Sequence, residues 1–239
     1  MKSDRFSEHS QKDIDFFESR TDVPYLNNRT RKLFDFISGN RPKAVLEVGC
    51  GEGIALQYLK PLRYVGVDLS LVRLRFASTR YPTHAFIQGD GTNLPVCSEV
   101  FDLVFCSGTL HHLPDFKAFE VVKEMKRICK RGGRIALIEP NAYNPSSLLL
   151  GLLRKPERGI LHCKSKLFLR YFDQLGMGNE IAVKYDDTFA LMNLFAQFFK
   201  KRDFVKTRWF NGFWESIDDM IKKVIPERFW ANIIMVARK

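Results

Sequence analysis

An apolar run with one embedded carboxylate, Val45-Leu46-Glu47-Val48, ends abruptly in three alternating glycines, Gly49, Gly51 and Gly53. A buried strand reads as four to eight apolar residues bounded by turn signals. Glycines directly after it allow a tight turn and let a ligand approach the main chain where a side chain would block it. The stretch therefore predicts a strand, a glycine-lined ledge and a helix over about Ile54–Leu59. That is the opening of a nucleotide-binding βαβ unit. Taken alone, this glycine spacing is a weak signal, and its weight comes from the strands downstream of it.

Those strands each end in an acid or a small residue. Tyr64-Val65-Gly66-Val67-Asp68 is the second strand, and Asp68 lies 19 residues after Gly49. Dinucleotide-binding folds place a ribose-binding acid at about 20 residues. A carboxylate at that strand end can accept hydrogen bonds from both ribose hydroxyls; the alternative is an Asp that caps the helix beginning near Leu69-Ser70. The third strand, Ala85 to Asp90, runs into Gly91. The fourth, Phe101–Cys106, leads into Ser107-Gly108-Thr109-Leu110-His111-His112-Leu113. A helix over about Phe116–Cys129 is then expected to stop at Lys130-Arg131-Gly132-Gly133, with basic residues in its last turn and glycine after it. Arg134–Glu139, closed by Pro140, is the fifth strand.

Together, Glu47-Val48-Gly49-Cys50-Gly51-Glu52-Gly53, Val67-Asp68, Gly89-Asp90, Leu110-His111-His112-Leu113 and the Gly132-Gly133 turn resemble a class I S-adenosylmethionine-dependent methyltransferase. Within that class the chain is similar to the broad group that includes the ubiquinone/menaquinone-biosynthesis methyltransferases. The resemblance covers about residues 41–139. It implies an α/β fold with a Rossmann-like doubly wound sheet, mostly parallel, with an antiparallel terminal strand pair and a helical insert after the fifth strand. It implies S-adenosylmethionine as cofactor, with Glu47, Gly49, Cys50, Gly51, Gly53, Asp68, Leu69, Asp90, Gly91, Ser107 and Gly108 around it. In resembling enzymes the acid at Glu47 supports the glycine loop and the amino-acid end of the cofactor, and the acid at Asp90 accepts from the adenine amino group. The spacing Gly49-x-Gly51-x-Gly53 differs from the G-x-G-x-x-G of nicotinamide enzymes. The amino-terminal aromatic-Asp segment of the family is not clear in Arg5-Phe6-Ser7 or Asp13-Ile14-Asp15-Phe16, so no ligand role is given to residues before Ala44.

His111 and His112 are the catalytic candidates. A His at the exit of the fourth strand can serve as general base near the methyl donor, and it can equally fix the loop. Methyl transfer from an activated sulfonium needs mainly distance and alignment. A base matters only where the acceptor must lose a proton. Glu139, Asn141 and Tyr143 are further rim residues, with Asn141 read as a turn former.

At 239 residues the chain suits one domain. Its expected parts are an amino-terminal helical segment (1–43), a cofactor-binding core (44–139), a cap or insert (140–203) and terminal strands (204–239). Val205–Phe210 and Ile233–Arg238 read as the strand pair, around a helix over about Glu215–Val224. Asp186-Asp187-Thr188 resembles a helix start, with Phe189, Met192, Phe195 and Phe199 at helical spacing after it. Phe168, Tyr171, Phe172, Tyr185 and Phe198 add to the aromatic density of the insert. The five cysteines include no C-x-x-C pair and read as small buried residues in a reducing compartment, so no metal site is expected. With no basic-then-apolar leader and no apolar run near 18 residues, a cytoplasmic protein is expected.

Charge is uneven. Up to residue 140 there are 21 Lys/Arg against 17 Asp/Glu; after it, 17 against 10. The densest part, Arg154, Lys155, Arg158, Lys164, Lys166 and Arg170, follows the run Leu148–Leu153 and holds Glu157 as its one acid. Apolar and basic residues side by side suit contact with an anionic membrane or substrate. They also suit a solvated helix packing its leucines on the core. No RNA-binding module is recognised, so nucleic acid is not favoured despite a pI near 9.5. The acceptor is read as a small or lipid-like molecule. The alternatives are an RNA or protein methyltransferase and a catalytically silent cofactor-binding protein.

Overall fold

The structure is a computed structural model, and it describes residues 24–39, 41–185 and 207–239. Seven strands form one sheet in the order β3-β2-β1-β4-β5-β7-β6. They are β1 (Ala44–Val48), β2 (Arg63–Asp68), β3 (Ala85–Gln88), β4 (Phe101–Ser107), β5 (Cys129–Pro140), β6 (Ile181–Tyr185) and β7 (Asn232–Arg238). β1 pairs in parallel with β2 and β4, β2 with β3, and β4 with β5. β7 runs antiparallel to both β5 and β6. All five residues of β1 are buried, the continuous apolar reading of a central strand covered on both faces.

The helices are α1 (Pro24–Ser38), α2 (Leu71–Arg80), α3 (Asp115–Ile128), α4 (Pro145–Leu153), α5 (Ser165–Gln174) and α6 (Arg208–Val224). On α3 the residues Ala118, Val121, Val122, Met125 and Ile128 are buried. They recur at three- and four-residue steps, so one stripe of the helix faces the sheet. Each of the larger ones contributes about 1.5–3 kcal/mol by leaving water. Phe168, Tyr171 and Phe172 of α5 join the same core. The opposite face of the sheet is covered by Phe34 and Ile37 of α1, packed with Tyr64, Phe105 and Ile138. Arg29 on α1 and Asp218 on α6 form a buried ion pair at 2.6 Å.

The chain leaves β1 toward β2 and β3, then returns to place β4 on the other side of β1. The order therefore reverses between β1 and β4. In open α/β sheets, ligands bind in the crevice beyond the carboxyl ends of the strands at such a switch point.

Three expected elements fold differently. The helix over Ile54–Leu59 is a short 3-10 turn, Ile54–Gln57, entered through left-handed Gly53 without a side-chain cap. Pro61 two residues after Leu59 closes off any extension. Lys130–Gly133 does not stop α3: the helix ends at Ile128 and Cys129 already pairs with Phe101. The two glycines lie in an irregular stretch of β5, where the register shifts between Phe101 and Leu103. The strand expected over Val205–Phe210 is the third. Thr207 caps α6 by accepting from Phe210 N–H, so Arg208–Phe210 is its first turn, and residues 205–206 lie outside the described set. Val205, Thr207 and Trp209 alternate and favour strands, but a Thr cap before a 17-residue amphipathic run prevails. The antiparallel partner of β7 is instead β6, within the insert. The motifs at Arg5–Phe16 and the helix expected from Asp186, with Phe189, Met192, Phe195, Phe198 and Phe199, lie outside the described residues.

Candidate active site

The glycine ledge is fastened to β2 by its own main chain. Gly49 and Cys50 N–H both donate to the Val67 carbonyl, at 2.7 and 3.1 Å. Gly49, Gly51 and Gly53 have φ of 73°, 51° and 71°, the left-handed region in which glycine is the residue without a Cβ penalty. Position 49 admits no side chain for a second reason: a Cβ would lie 2.3 Å from Thr109 Oγ1. Gly51 differs, because the nearest atom to a Cβ there is 3.7 Å away, on Arg73. At Gly108 the nearest is His111 Cε1 at 4.0 Å. The loops that leave β1 and β4 thus present open main chain on either side of the switch point.

Asp68 braces this ledge. Its Oδ2 accepts from Gly51 N–H and its Oδ1 from Ser70 N–H, both at 2.8 Å. The helix cap at α2 is Ser70, whose side chain accepts from Arg73 N–H. A carboxylate has about four lone-pair sites, so Asp68 keeps acceptor capacity for hydroxyl donors. Cys50 turns its thiol into the core, under Gly66, and offers its backbone to the site.

Glu47 is buried in β1. Burial raises its pKa to about 8, against the lowering effect of Tyr64, whose hydroxyl donates to Glu47 Oε2. Burial thus favours the protonated form of Glu47. Asp90 uses Oδ1 to accept from Thr92 N–H and Oγ1 at 2.9 and 2.8 Å, a turn bond that lowers its pKa, chiefly through the Thr92 backbone. Gly91 answers a packing need: a Cβ there would lie 2.7 Å from Val48 Cγ1. Leu69 is exposed beyond β2. At the end of β4, the Ser107 carbonyl accepts from the Thr109 hydroxyl, and Gly108 N–H donates to the Ile138 carbonyl.

Beyond Gly108 the chain makes a short turn, Leu110–His112, fixed by Glu139 from the end of β5. Glu139 Oε1 accepts from Thr109 and Leu110 N–H at 2.9 and 2.8 Å, and Oε2 bonds His111 Nδ1 at 2.7 Å. His111 Nε2 lies 3.3 Å from Glu157 Oε2. Burial pulls the His111 pKa down, but the bonds to Glu139 and Glu157 outweigh it and hold it at about 9. As a charged bridge between two carboxylates, His111 has no lone pair to receive a proton. His112 differs. Its pKa is lowered by desolvation and then by the charge of His111. Its Nδ1 is 3.2 Å from the Pro156 carbonyl, which can only accept, so neutral His112 carries its free lone pair on Nε2. Of the two candidates, His112 has the protonation state a base requires.

The insert meets this turn directly. Residues 155–162 form a 3-10 segment. A Cβ on Gly159 would overlap the His111 carbonyl oxygen, at 1.5 Å. A cavity of about 500 Å³ lies between the Leu110–Asp115 segment and the insert. Leu110, Leu113, Leu167 and Phe168 give it an apolar wall, Lys164 brings positive charge, and Arg170 is paired there with Asp115 at 2.8 Å. Its size is that of a small-molecule site. Asn141 is a turn residue: its Oδ1 accepts from Tyr143 N–H, and its Nδ2 donates to the carbonyls of Arg228 and Trp230. Tyr143 is exposed, with Lys164 Nζ 5.6 Å from its ring centre.

Residues 46–137 match a family model described as a methyltransferase domain. The phthiotriol/phenolphthiotriol dimycocerosates methyltransferase of Mycobacterium leprae (strain TN) is 35% identical over 108 residues, covering 43% of this chain and 39% of that protein. The demethylmenaquinone methyltransferase of Corynebacterium urealyticum is 36% identical over 113 residues, 46% of each chain. This chain spans less than half the length of these curated relatives. A crystal structure of a SAM-dependent methyltransferase from Archaeoglobus fulgidus shares the fold at a TM-score of 0.62 and 16% identity, covering 94% of this chain and 99% of that one. Strand order and the glycine ledge at the switch point are those of a Rossmann-like methyltransferase fold, and the chain's central part, residues 46–137, is similar to a methyltransferase domain.

Proposed function

We propose that the chain transfers a methyl group from S-adenosylmethionine to a small-molecule or lipid-like acceptor held between the β4 exit and the insert. The observation that carries this reading is the pairing of two open glycines, Gly51 and Gly108, across the switch point, with an apolar, cation-bearing cavity beginning at Leu110 beside the second. The residues present fit the cofactor: open backbone at Gly51, spare acceptor capacity on Asp68 for ribose hydroxyls, and the buried carboxyl group of Glu47 in the strand that carries the ledge. When bound, the cofactor supplies a methyl group already activated on a sulfonium. The chain's own task is then alignment. The Gly49 loop and Asp68 fix one partner, and the insert cavity fixes the other. His112 Nε2 can take a proton where the acceptor has one to lose. The acceptors in the relatives' names, a phthiotriol and a menaquinone precursor, support the lipid-like class, as do the exposed Leu148, Leu149, Leu152 and Leu153 of α4 beside Arg154 and Lys155. Among the described residues no helix is long and apolar enough to cross a membrane.

The test is incubation of the purified protein with labelled S-adenosylmethionine and a whole-cell extract, followed by separation into lipid, metabolite, RNA and protein fractions and mass spectrometry of the labelled products. A labelled lipid or quinone-like product is expected. Label only in RNA or protein would move the reading to macromolecular acceptors. Cofactor binding without any labelled product would favour a silent interaction protein.

A further inference from the structure

We propose that His111, His112 and Glu157 form a binding site for one divalent transition-metal ion, of the zinc or cobalt class, on the rim beside the methyl-transfer cleft. One potential ligand atom from each of the three residues lies within 4.8 Å of the others. Both imidazoles are held through their far nitrogen: His111 Nδ1 by Glu139 Oε2 at 2.7 Å, and His112 Nδ1 by the Pro156 carbonyl at 3.2 Å. Histidines that ligate metals are typically anchored in this way, by a carboxylate or a backbone carbonyl that fixes ring and tautomer. The anchoring leaves Nε2 of each ring for the ion.

The spacing agrees. Charge-assisted hydrogen bonds between nitrogen and carboxylate run at about 2.7–2.9 Å, and His111 makes one such bond, to Glu139. Its contact with Glu157 is longer, 3.3 Å. Zinc bonds of about 2.0–2.2 Å in tetrahedral geometry set neighbouring ligand atoms roughly 3.3–3.5 Å apart, which is the His111–Glu157 separation. Glu157 is the one acid in a basic run, and main-chain packing of Gly159 on His111 delivers it to this point. Two imidazoles and one carboxylate suit zinc-like ions, whereas magnesium and calcium prefer all-oxygen ligand sets. A bound ion would take the place of the hydrogen between His111 Nε2 and Glu157 Oε2.

Three protein ligands leave a fourth position for water or an incoming oxygen. The use of that position rests on the methyl-transfer reading: an acceptor hydroxyl bound there would have its pKa lowered, and His112 would serve as a ligand in place of a base. The site itself does not depend on that reading.

The experiment is titration of the metal-stripped full chain with Co²⁺, followed by visible absorption, and with Zn²⁺ in competition with a chromogenic chelator. One equivalent is expected to bind. His112→Ala and Glu157→Gln should each weaken binding at least tenfold, and Glu139→Gln by about 10- to 100-fold. Cys97→Ser, which removes an exposed thiol elsewhere, should change nothing. His112 and Glu157 lie on the rim, and circular dichroism with thermal melts verifies that their variants fold. Absence of stoichiometric binding, or equal affinity in the folded His112→Ala/Glu157→Gln double variant, overturns the proposal. Specific metal binding in a protein that methylates nothing would leave this site standing and remove the methyl-transfer reading alone.

Discussion

The ledge after β1 and the histidine turn after β4 lie side by side at one switch point, yet they are built in opposite ways. The ledge is local. Glu47, Gly49, Gly51, Gly53 and Asp68 fall within 22 residues, and its bonds run between adjacent strands. The histidine turn is assembled from afar: His111 meets Glu139 across 28 residues and Glu157 across 46. The ledge uses backbone conformation to bring open main chain to the cleft, and the turn uses a buried carboxylate, Glu139, to fix His111. A local device suits a ligand shared across a family. A device that recruits the insert can differ from one member to the next without disturbing the ledge.

The largest effect that separates the two regions should come from Glu47. Burial raises its pKa in the native state to about 8, from 4.5. The native state therefore binds the proton more tightly than the unfolded chain. Its contribution is fully present below about pH 4.5 and is lost as pH rises toward about 8, by up to about 1.4 kcal/mol per pH unit. Glu47→Gln should flatten the apo-protein's stability between those limits in denaturant titrations at several pH values. A pH profile parallel to the parent's would mean that Glu47 is charged in the native ledge.

Gly49→Ala comes next. It places a methyl against Thr109 and forces an L-residue into the left-handed region, which costs roughly 1–2 kcal/mol by itself. Thermal stability and cofactor affinity should fall together, and adding Thr109→Ala should recover the steric part only. Full recovery in the double variant would show that backbone conformation contributes little. Asp68→Ala removes one charged acceptor, worth about 1.5–3 kcal/mol. Binding of S-adenosylmethionine by calorimetry should weaken roughly ten- to a hundredfold in a protein that still folds. Unchanged affinity would leave Asp68 as a brace for Gly51 and Ser70 alone.

The same contrast explains what is legible in the sequence. Strand order up to β5 follows from short apolar runs with glycines or acids at their exits, because such signals are local. The partner of β7 does not. Ile181–Tyr185 is a five-residue edge strand with three residues exposed, and so short an apolar run cannot be told from a helix segment by pattern alone, while Thr207 and Trp209 imitate a strand just before a helix. At the site, Gly49, Asp68 and His111 are visible as motifs. Tyr64 is not, because its bond to Glu47 depends on the pairing of two strands; the cost of burying Glu47 alone implies a partner without naming it. Glu157 gives a signal, as one acid among cations, but nothing in the chain near it points to His111. Thr109 gives none, since its role is to fill the space above a glycine 60 residues away.

The smallest effect per side chain should come from Arg154, Lys155 and Arg158, which are exposed after α4. If the insert alone meets the acceptor or its membrane, changing all three to Ala should leave cofactor affinity near that of the parent. Each cation near an anionic surface contributes at most about 1 kcal/mol, so flotation with phosphatidylserine vesicles, or turnover of a lipid acceptor, should drop several-fold at low salt. Exposed charges are screened within about 10 Å at 0.1 M salt, so the gap between variant and parent should narrow as salt is added. The leucines supply the control, because Leu152→Ser/Leu153→Ser should weaken flotation with little salt dependence. Equal flotation and turnover for the cation variant would return this cluster to an ordinary solvated face. Acceptor recognition would then rest on the cavity lined by Leu113, Lys164, Phe168 and Arg170, where Arg170→Ala becomes the variant that discriminates.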